Sequence, residues 1–440
     1  AHMASNSKNL FQSAKSLPKG VWAVSISMML IAISTTMVFS ISPFFITQVL
    51  GLSLISLGIM EGISEGLSFF SKLASGFAGD FFRRKKPPLM VGVALATISK
   101  PIFILAGGAF GIMASKVIER ISNGIMATPR DAYCAEEVPA SQRGSSLGLM
   151  MSLKTFGCAL GSFIIGGLIV FTDDYRLLLW IGFIPCFLSF IVVAYYMKEK
   201  RVEYAESHPE KKRKQLKMSD FKALKSRYWS LVVIATLFMC ARFSDGFLIL
   251  RMQEVGAPMW LCTSTIGIFN LISAFACLPI GKMPDRIVRS RMLYFSFIAL
   301  VLANVCFVME GGLILALVGV VFWGAQRGTS QMLFAAIIAD EVPEKIVGTA
   351  LGIYYLLSGI IAVLAGFVAG YAADISLHYA FVFGLIASAI SLVALIIRNE
   401  IIKHGGRRPS AKKKDAEDSA TKKPESAVQH FSAEPAVTPA

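Results

Sequence analysis

The chain has 440 residues, 55% of them hydrophobic and 16% charged, with a formal net charge of +15 and a mean hydropathy of +0.63. That balance excludes a water-soluble globular protein, because apolar stretches of about 20 residues, each able to cross a hydrocarbon core as a helix, recur along almost the whole length. The positive charge does not point to nucleic acid, since Lys and Arg gather in the short links and tails between apolar stretches.

Ala1-His2-Met3 reads as a cloning scar, and residues 1–20 form a polar N-terminus without the short apolar region and cleavage site of a signal peptide. Hydropathy then predicts spans at 21–48, 54–80, 88–107, 110–134, 145–171, 176–197, 228–251, 259–281, 291–310, 312–341, 347–372 and 377–398. Lipid cannot satisfy open backbone groups, so all twelve are expected to be helices. Residues 198–227, rich in Lys and Glu, divide the spans six and six as a linker with room for a surface helix. The bundles are thus 21–197 and 228–398, and 399–440 reads as a disordered tail. Basic residues mark one set of links: Arg83 to Lys86, Arg143, Lys211 to Lys214, then Arg286, Arg289 and Arg291. The opposite links around 49–53, 107–110 and 310–312 have no Lys or Arg, which places both termini in the cytoplasm.

Ionisable residues inside spans cost several kcal/mol each unless paired or hydrated, so their positions carry chemical information. On span 2, Glu61, Glu65 and Lys72 share one face. On span 4, Lys116, Arg120 and Asp131 form one line and Glu119 and Arg130 another, with Pro129 bending the helix between them. Lys100, Lys154, Arg242, Asp245 and Arg327 add single charges to spans 3, 5, 7 and 10. Two uses are open: ion pairs that hold a bundle together, or groups that meet a ligand and carry a proton. Pure packing needs no ions, which weighs against the first use for the whole collection. Seven scattered cysteines without a CxxC pair read as small core residues, so neither a disulfide framework nor a metal site is expected. No phosphate-binding Gly-rich loop with Lys and Ser/Thr occurs, and no His-x-x-x-His, His-Glu-x-x-His or Gly-x-Ser-x-Gly arrangement, so ATP hydrolysis by that loop and the corresponding enzyme chemistries have no support. No cofactor is implied.

Two pairs of matching segments lie at one offset. Gly76-x-x-x-Asp80 with the basic run Arg83 to Lys86 matches Gly281-x-x-x-Asp285 with Arg286, Arg289 and Arg291, 205 residues on. Glu137-Val138-Pro139, Gly144 and Leu147-Gly148 match Glu341-Val342-Pro343, Gly348 and Leu351-Gly352, 204 residues on. The chain thereby resembles the major facilitator superfamily over about residues 20–398, whose loop between helices 2 and 3 reads Gly-x-x-x-Asp-Arg-x-Gly-Arg-Arg. The first copy has Phe81 for the Arg and Arg83 for the second Gly but keeps Arg84 and Lys85; the second keeps Asp285-Arg286 with Val288 and Ser290 as departures. Arg130-Asp131-Ala132 and Arg242-Phe243-Ser244-Asp245 also resemble a bacterial branch of that superfamily with no firm substrate.

The resemblance implies an all-α integral membrane fold of two pseudo-symmetric six-helix bundles, and a multi-pass secondary transporter of the bacterial inner membrane that works as a monomer. Helices 1, 4, 7 and 10 would line its central cavity. Arg120, Lys154, Arg242 and Arg327 are then expected to bind substrate, and Glu61, Glu65, Glu119 and Asp245 to carry the coupling proton, with sodium as the alternative ion. Gly76, Asp80, Arg84, Lys85, Arg130, Asp131, Gly281, Asp285, Arg286 and Arg289 are expected to gate, the carboxylates accepting from helix N-termini of the other half. Basic cavity groups outnumber acidic ones, which favours an anionic or carboxylate-bearing cargo; efflux of drugs or siderophores, or uncoupled carriage, are the alternatives. Gly148, Gly157 and Gly161 follow the antiporter spacing on span 5, but Ser162 replaces its Pro, and close helix contact explains them equally well.

Overall fold

A computed structural model describes residues 17–78, 85–139, 142–197, 224–277, 286–342 and 346–405. Among these residues every long element is helical. The first bundle contains α1 (Lys19–Phe44, continued by a π-helical turn Phe45–Val49), α2 (Leu54–Ala78), α3 (Lys86–Ile104), α4 (Ala109–Glu136), α5 (Arg143–Leu168) and α6 (Tyr175–Tyr196). The second contains α7a (Ser226–Ala241), α7b (Gly246–Glu254), α8 (Met259–Cys277), α9 (Arg286–Val308), α10 (Gly312–Glu341), α11 (Val347–Ile375) and α12 (Leu377–Gly405). Taking α7a and α7b as one span gives the twelve expected, with most ends displaced by only a few residues. Ten spans are long and apolar enough to cross a membrane on their own. The other two, α2 and α4, fall short because they carry the ionisable side chains of the interior.

The structure corrects the sequence expectation twice. Helix α12 runs to Gly405 and not to 398. Span 7 is not one helix: Arg242, at φ −105° and ψ 60°, leaves the helical region, and α7b restarts at Gly246. Ser244 Oγ accepts from the Gly246 N–H at 3.0 Å, giving the new helix a capping partner. Phe243 anchors the break, with its ring centroid 5.7, 6.0 and 5.5 Å from those of Phe247, Trp323 and Phe381. Gly384 of α12 makes the space, since a Cβ there would lie 2.7 Å from Phe243 Cε1.

Short links cap the helices economically. Asp174 accepts from the N–H groups of Arg176 and Leu177 at 2.9 and 3.2 Å to start α6. Gly51 and Gly256 turn the links after spans 1 and 7 with φ of 64° and 84°, a region glycine enters without a Cβ clash. They lie 205 residues apart, as do Gln48 and Gln253, whose side chains meet at 3.4 Å. The internal repeat is therefore visible in turn geometry as well as in the loops.

The described residues up to Ala394 form one compact unit, which contains the site and both sets of packed helices, and those from Leu395 belong to a second. In the second unit the described residues are helical to Gly405. Within the first unit, α1 packs on α5 and α6, and Gly157 and Gly161 let α5 approach the backbone of Met29 and Ile33. That supports the close-contact explanation for Gly157 and Gly161, but not for Gly148, beside which the space is open. In the second bundle, Phe238, Phe297, Phe334 and Tyr354 form an aromatic core. Between bundles, α2 meets α11 and α5 meets α8. Gly58, Gly62 and Gly66 face Gly359, Gly366 and Gly370, so the two backbones come into direct contact. The Leu54 N–H donates to Asp374 Oδ1 at 2.9 Å, while Ser162 Oγ donates to Thr263 O at 2.7 Å and accepts from Gly267 N at 2.8 Å. These contacts close the end of the molecule that carries the links at 49–53 and 255–258. Elsewhere the surface is apolar, with Ile184, Phe187 and Leu188 of α6 and Phe295 and Ile298 of α9 exposed, as a lipid-facing surface requires.

Candidate functional site

A cavity of about 330 Å³ lies where the bundles meet. Helix α1 lines it with Thr35, Thr36 and Phe39, α2 with Glu61 and Glu65, α4 with Arg120, α5 with Lys154 and Cys158, and α10 with Arg327. The break between α7a and α7b contributes Arg242, Phe243, Ser244 and Asp245, and α8 contributes Ile266, Phe269 and Asn270. All four basic residues expected to bind substrate therefore share one chamber with three of the four expected acids. The flanking helices supply as much of the lining as helices 1, 4, 7 and 10. A second cavity of about 310 Å³ shares Thr35, Arg120, Lys154 and Cys158 with the first and reaches Asn123 and Arg130 along α4.

The acids are not equivalent. Glu61 Oε1 accepts from Lys116 Nζ at 2.6 Å, with both side chains under a tenth exposed. Lys116 and Arg120, one turn apart, thus face α2 together, and Arg120 Nε donates to Ser64 Oγ at 2.8 Å. Glu119 turns the other way: its Oε1 accepts from Lys100 Nζ at 2.7 Å and from Thr35 Oγ1 at 2.8 Å, outside the lining of the chamber. Lys116 and Thr35 are partners that helical spacing on one span could not name. Asp131, placed by that spacing with Lys116 and Arg120, instead accepts from Arg130 Nε at 2.8 Å, since Pro129 interrupts the line.

Asp245 precedes α7b but caps nothing with its side chain. Its Oδ2 accepts from Arg327 Nη1 at 2.7 Å and its Oδ1 from Trp323 Nε1 at 2.8 Å, so one carboxylate bridges the broken span to two residues one turn apart on α10. Sequence reading missed Trp323, although its i, i+4 relation to Arg327 was there to find. The Arg327 guanidinium also lies 5.6 Å from the Phe269 ring centre.

Arg242 is the exception among these groups. It is 5% exposed and lines the chamber, and neither Nη1 nor Nη2 has a hydrogen-bond partner. Glu65 and Asp245 lie near enough to act on its charge. A buried guanidinium with two unbonded nitrogens carries a desolvation cost, so a chain that keeps one has a use for it.

Of the expected gate, Lys85 Nζ stands 3.6 Å from Glu136 Oε1 at the ends of α3 and α4. Arg130 and Asp131 pair with each other. Asp80, Arg84, Gly281 and Asp285 lie outside the described residues, as do the surroundings of Gly76 and the side chains of Arg286 and Arg289.

The family profile described as Major Facilitator Superfamily matches residues 24–366. An uncharacterised MFS-type transporter of Methanocaldococcus jannaschii is 27% identical over 399 residues, covering 88% of this chain and 96% of that protein. An uncharacterised protein of Mycobacterium tuberculosis is 20% identical over 359 residues, covering 79% and 84%. Among solved structures, the nucleoside transporter NupG aligns with a TM-score of 0.71 at 12% identity, over 87% of this chain and 99% of that one. A structure of proton dependent oligopeptide transporters aligns with a TM-score of 0.68 at 12% identity, over 88% and 98%. A bacterial homologue of the lysosomal transporter Spinster, inward-facing and unoccupied, aligns at 0.63 with 15% identity over 86% and 94%. The twelve-span fold, the internal repeat and the profile match agree: the chain is a multi-pass membrane transporter, not an enzyme, and belongs to the major facilitator superfamily.

Proposed function

We propose that this transporter moves a small anionic or carboxylate-bearing organic solute by proton-coupled alternating access. The observation that carries the proposal is Arg242, a buried guanidinium that lines the chamber and whose two terminal nitrogens have no hydrogen-bond partner. A carboxylate or phosphate oxygen seated there gains charge-assisted hydrogen bonds that water no longer contests. Asp245 is the favoured coupling acid. An anion that draws Arg327 away leaves the Asp245 carboxylate without its cation, and a proton then neutralises it in place of that cation. Glu61 and Glu119 are engaged by lysines and serve to hold α2 and α3 against α4. With the basic links in the cytoplasm, the closed end is the outer one, and the second cavity lies along the path towards the cytoplasm.

Counterflow in proteoliposomes with and without a pH gradient tests coupling. Asp245→Asn is expected to abolish accumulation driven by the gradient while retaining exchange; unchanged accumulation in that variant would remove the proton role. A thermal-shift screen tests the cargo. Stabilisation by organic anions that disappears in Arg242→Gln is the expected result, and a response confined to lipophilic cations would overturn the anion assignment.

A further inference from the structure

Away from the chamber, a groove of about 320 Å³ runs between the start of α1 and the end of α6, lined by Lys19, Trp22, Ala23 and Ile26 of the one and Val192 and Tyr196 of the other. Ser27 Oγ and Ser189 Oγ, both buried, meet at 2.7 Å beside Ile26 and one turn before Val192, so the two helices are tied together where the groove ends. The walls are apolar except at the mouth. There Lys19 opens α1 and Tyr196 ends α6, and both side chains are exposed. Among the described residues, neither makes a hydrogen bond or an ion pair. Lys86 reaches the same end of α6, its Nζ donating to Ala194 O at 2.9 Å and to Met197 O at 2.7 Å. That ammonium offsets the partial negative charge of the helix end, which would otherwise repel an anion beside Tyr196.

The mouth stands at the ends of two membrane spans, on the side where the basic links lie, with Trp22 and Tyr196 at the level where amphipathic rings meet lipid headgroups. The groove behind it runs into hydrocarbon depth. An inorganic anion gains nothing from the apolar walls, and an uncharged chain gains nothing from the exposed ammonium; a lipid with a net-negative headgroup uses both. We propose that this groove binds an anionic phospholipid, with an acyl chain between α1 and α6 and the phosphate on Lys19, where the Tyr196 hydroxyl donates a further hydrogen bond. A zwitterionic headgroup carries its own cation and competes with Lys19 for the phosphate, so the site selects for net negative charge. The bound lipid bridges α6 to α1, the helix that carries Thr35 and Thr36 into the chamber.

The full chain in phosphatidylcholine vesicles tests this by fluorescence quenching. Increasing fractions of phosphatidylglycerol with dibrominated acyl chains are added, with dibrominated phosphatidylcholine as the control, and the Trp22 emission is taken as the difference from Trp22→Phe. The brominated phosphatidylglycerol is expected to half-quench Trp22 at about fivefold lower mole fraction than the brominated phosphatidylcholine, and Lys19→Gln is expected to remove that difference. Native mass spectra, which need no change at Trp22, are expected to show one phosphatidylglycerol fewer on Lys19→Gln than on the unmodified protein. Equal quenching by the two lipids overturns the selection for negative charge. Quenching by neither means that lipid does not enter the groove, and overturns the site itself. A phosphatidylglycerol preference or count that is the same in Lys19→Gln places the anion elsewhere and overturns the assignment to Lys19. Because Lys19 is exposed and unpaired, its replacement leaves the fold in place.

Discussion

Arg242 and Glu61 are both buried, yet they predict opposite mutational outcomes. Replacing Arg242 by Leu removes a buried charge whose terminal nitrogens lack hydrogen-bond partners, so the ligand-free protein is expected to gain about 1–3 kcal/mol of stability, read as a higher unfolding temperature, while losing its response to anions. A lower unfolding temperature would identify Arg242 as a structural residue. Glu61→Gln leaves Lys116 buried and unpaired and is expected to destabilise by about 3–5 kcal/mol. The double variant Glu61→Gln with Lys116→Met recovers most of that loss, and it should retain proton-coupled accumulation; coupling lost in the double variant would make Glu61 a proton carrier. At this scale the sequence shows which spans carry charge. It could not pair Glu61 with Lys116, or Glu119 with Lys100 and Thr35, because the partners lie on helices whose rotation about their own axes is set by packing.

Among the elements, the face between α2 and α11 decides which end of the molecule is shut. A Cβ added at Gly366 would lie 2.5 Å from Gly58 O and 2.6 Å from Gly62 Cα, and neither backbone atom can yield as a side-chain tip would. Gly366→Val is therefore expected to separate the two helices and favour the state open at this end. Cys158, a free and partly exposed thiol lining both cavities, reports the change. Its labelling by a membrane-impermeant maleimide applied from the closed side should rise about tenfold or more, as a modest shift in population would give. An unchanged rate would mean that α2 and α11 do not form the gate. The broken span 7 belongs to the same scale. Hydropathy reads 228–251 as continuous, since the break is enforced by Phe243 locking into rings from α7b, α10 and α12, an arrangement absent from any local window.

In the molecule as a whole, the two bundles share a scaffold and differ in charge. Glu61 and Glu65 correspond, at the offset of 205, to Ile266 and Asn270, which line the same chamber from the other side. Gln48 and Gln253 correspond to each other and touch where the bundles meet. Cysteines at 48 and 253 joined by a short bifunctional thiol reagent are expected to hold that end closed and reduce transport by about tenfold or more, with recovery when the crosslink is cleaved. Full transport through the crosslinked protein would exclude rocking of the halves about this contact.

The sequence by itself determined the membrane class, the number of spans and the division into two related halves. Those follow from local hydropathy and from loops at 205 and 204 residues, which need no knowledge of distant contacts. It also supplied the residues of the chamber, because charge within a span is costly wherever the helix finally packs. Only the tertiary structure decided which of those charges meet in direct pairs. Pairing depends on distances of a few Å between helices brought together by glycine contacts and aromatic packing, and that packing buries Arg242 with no hydrogen bond to its terminal nitrogens.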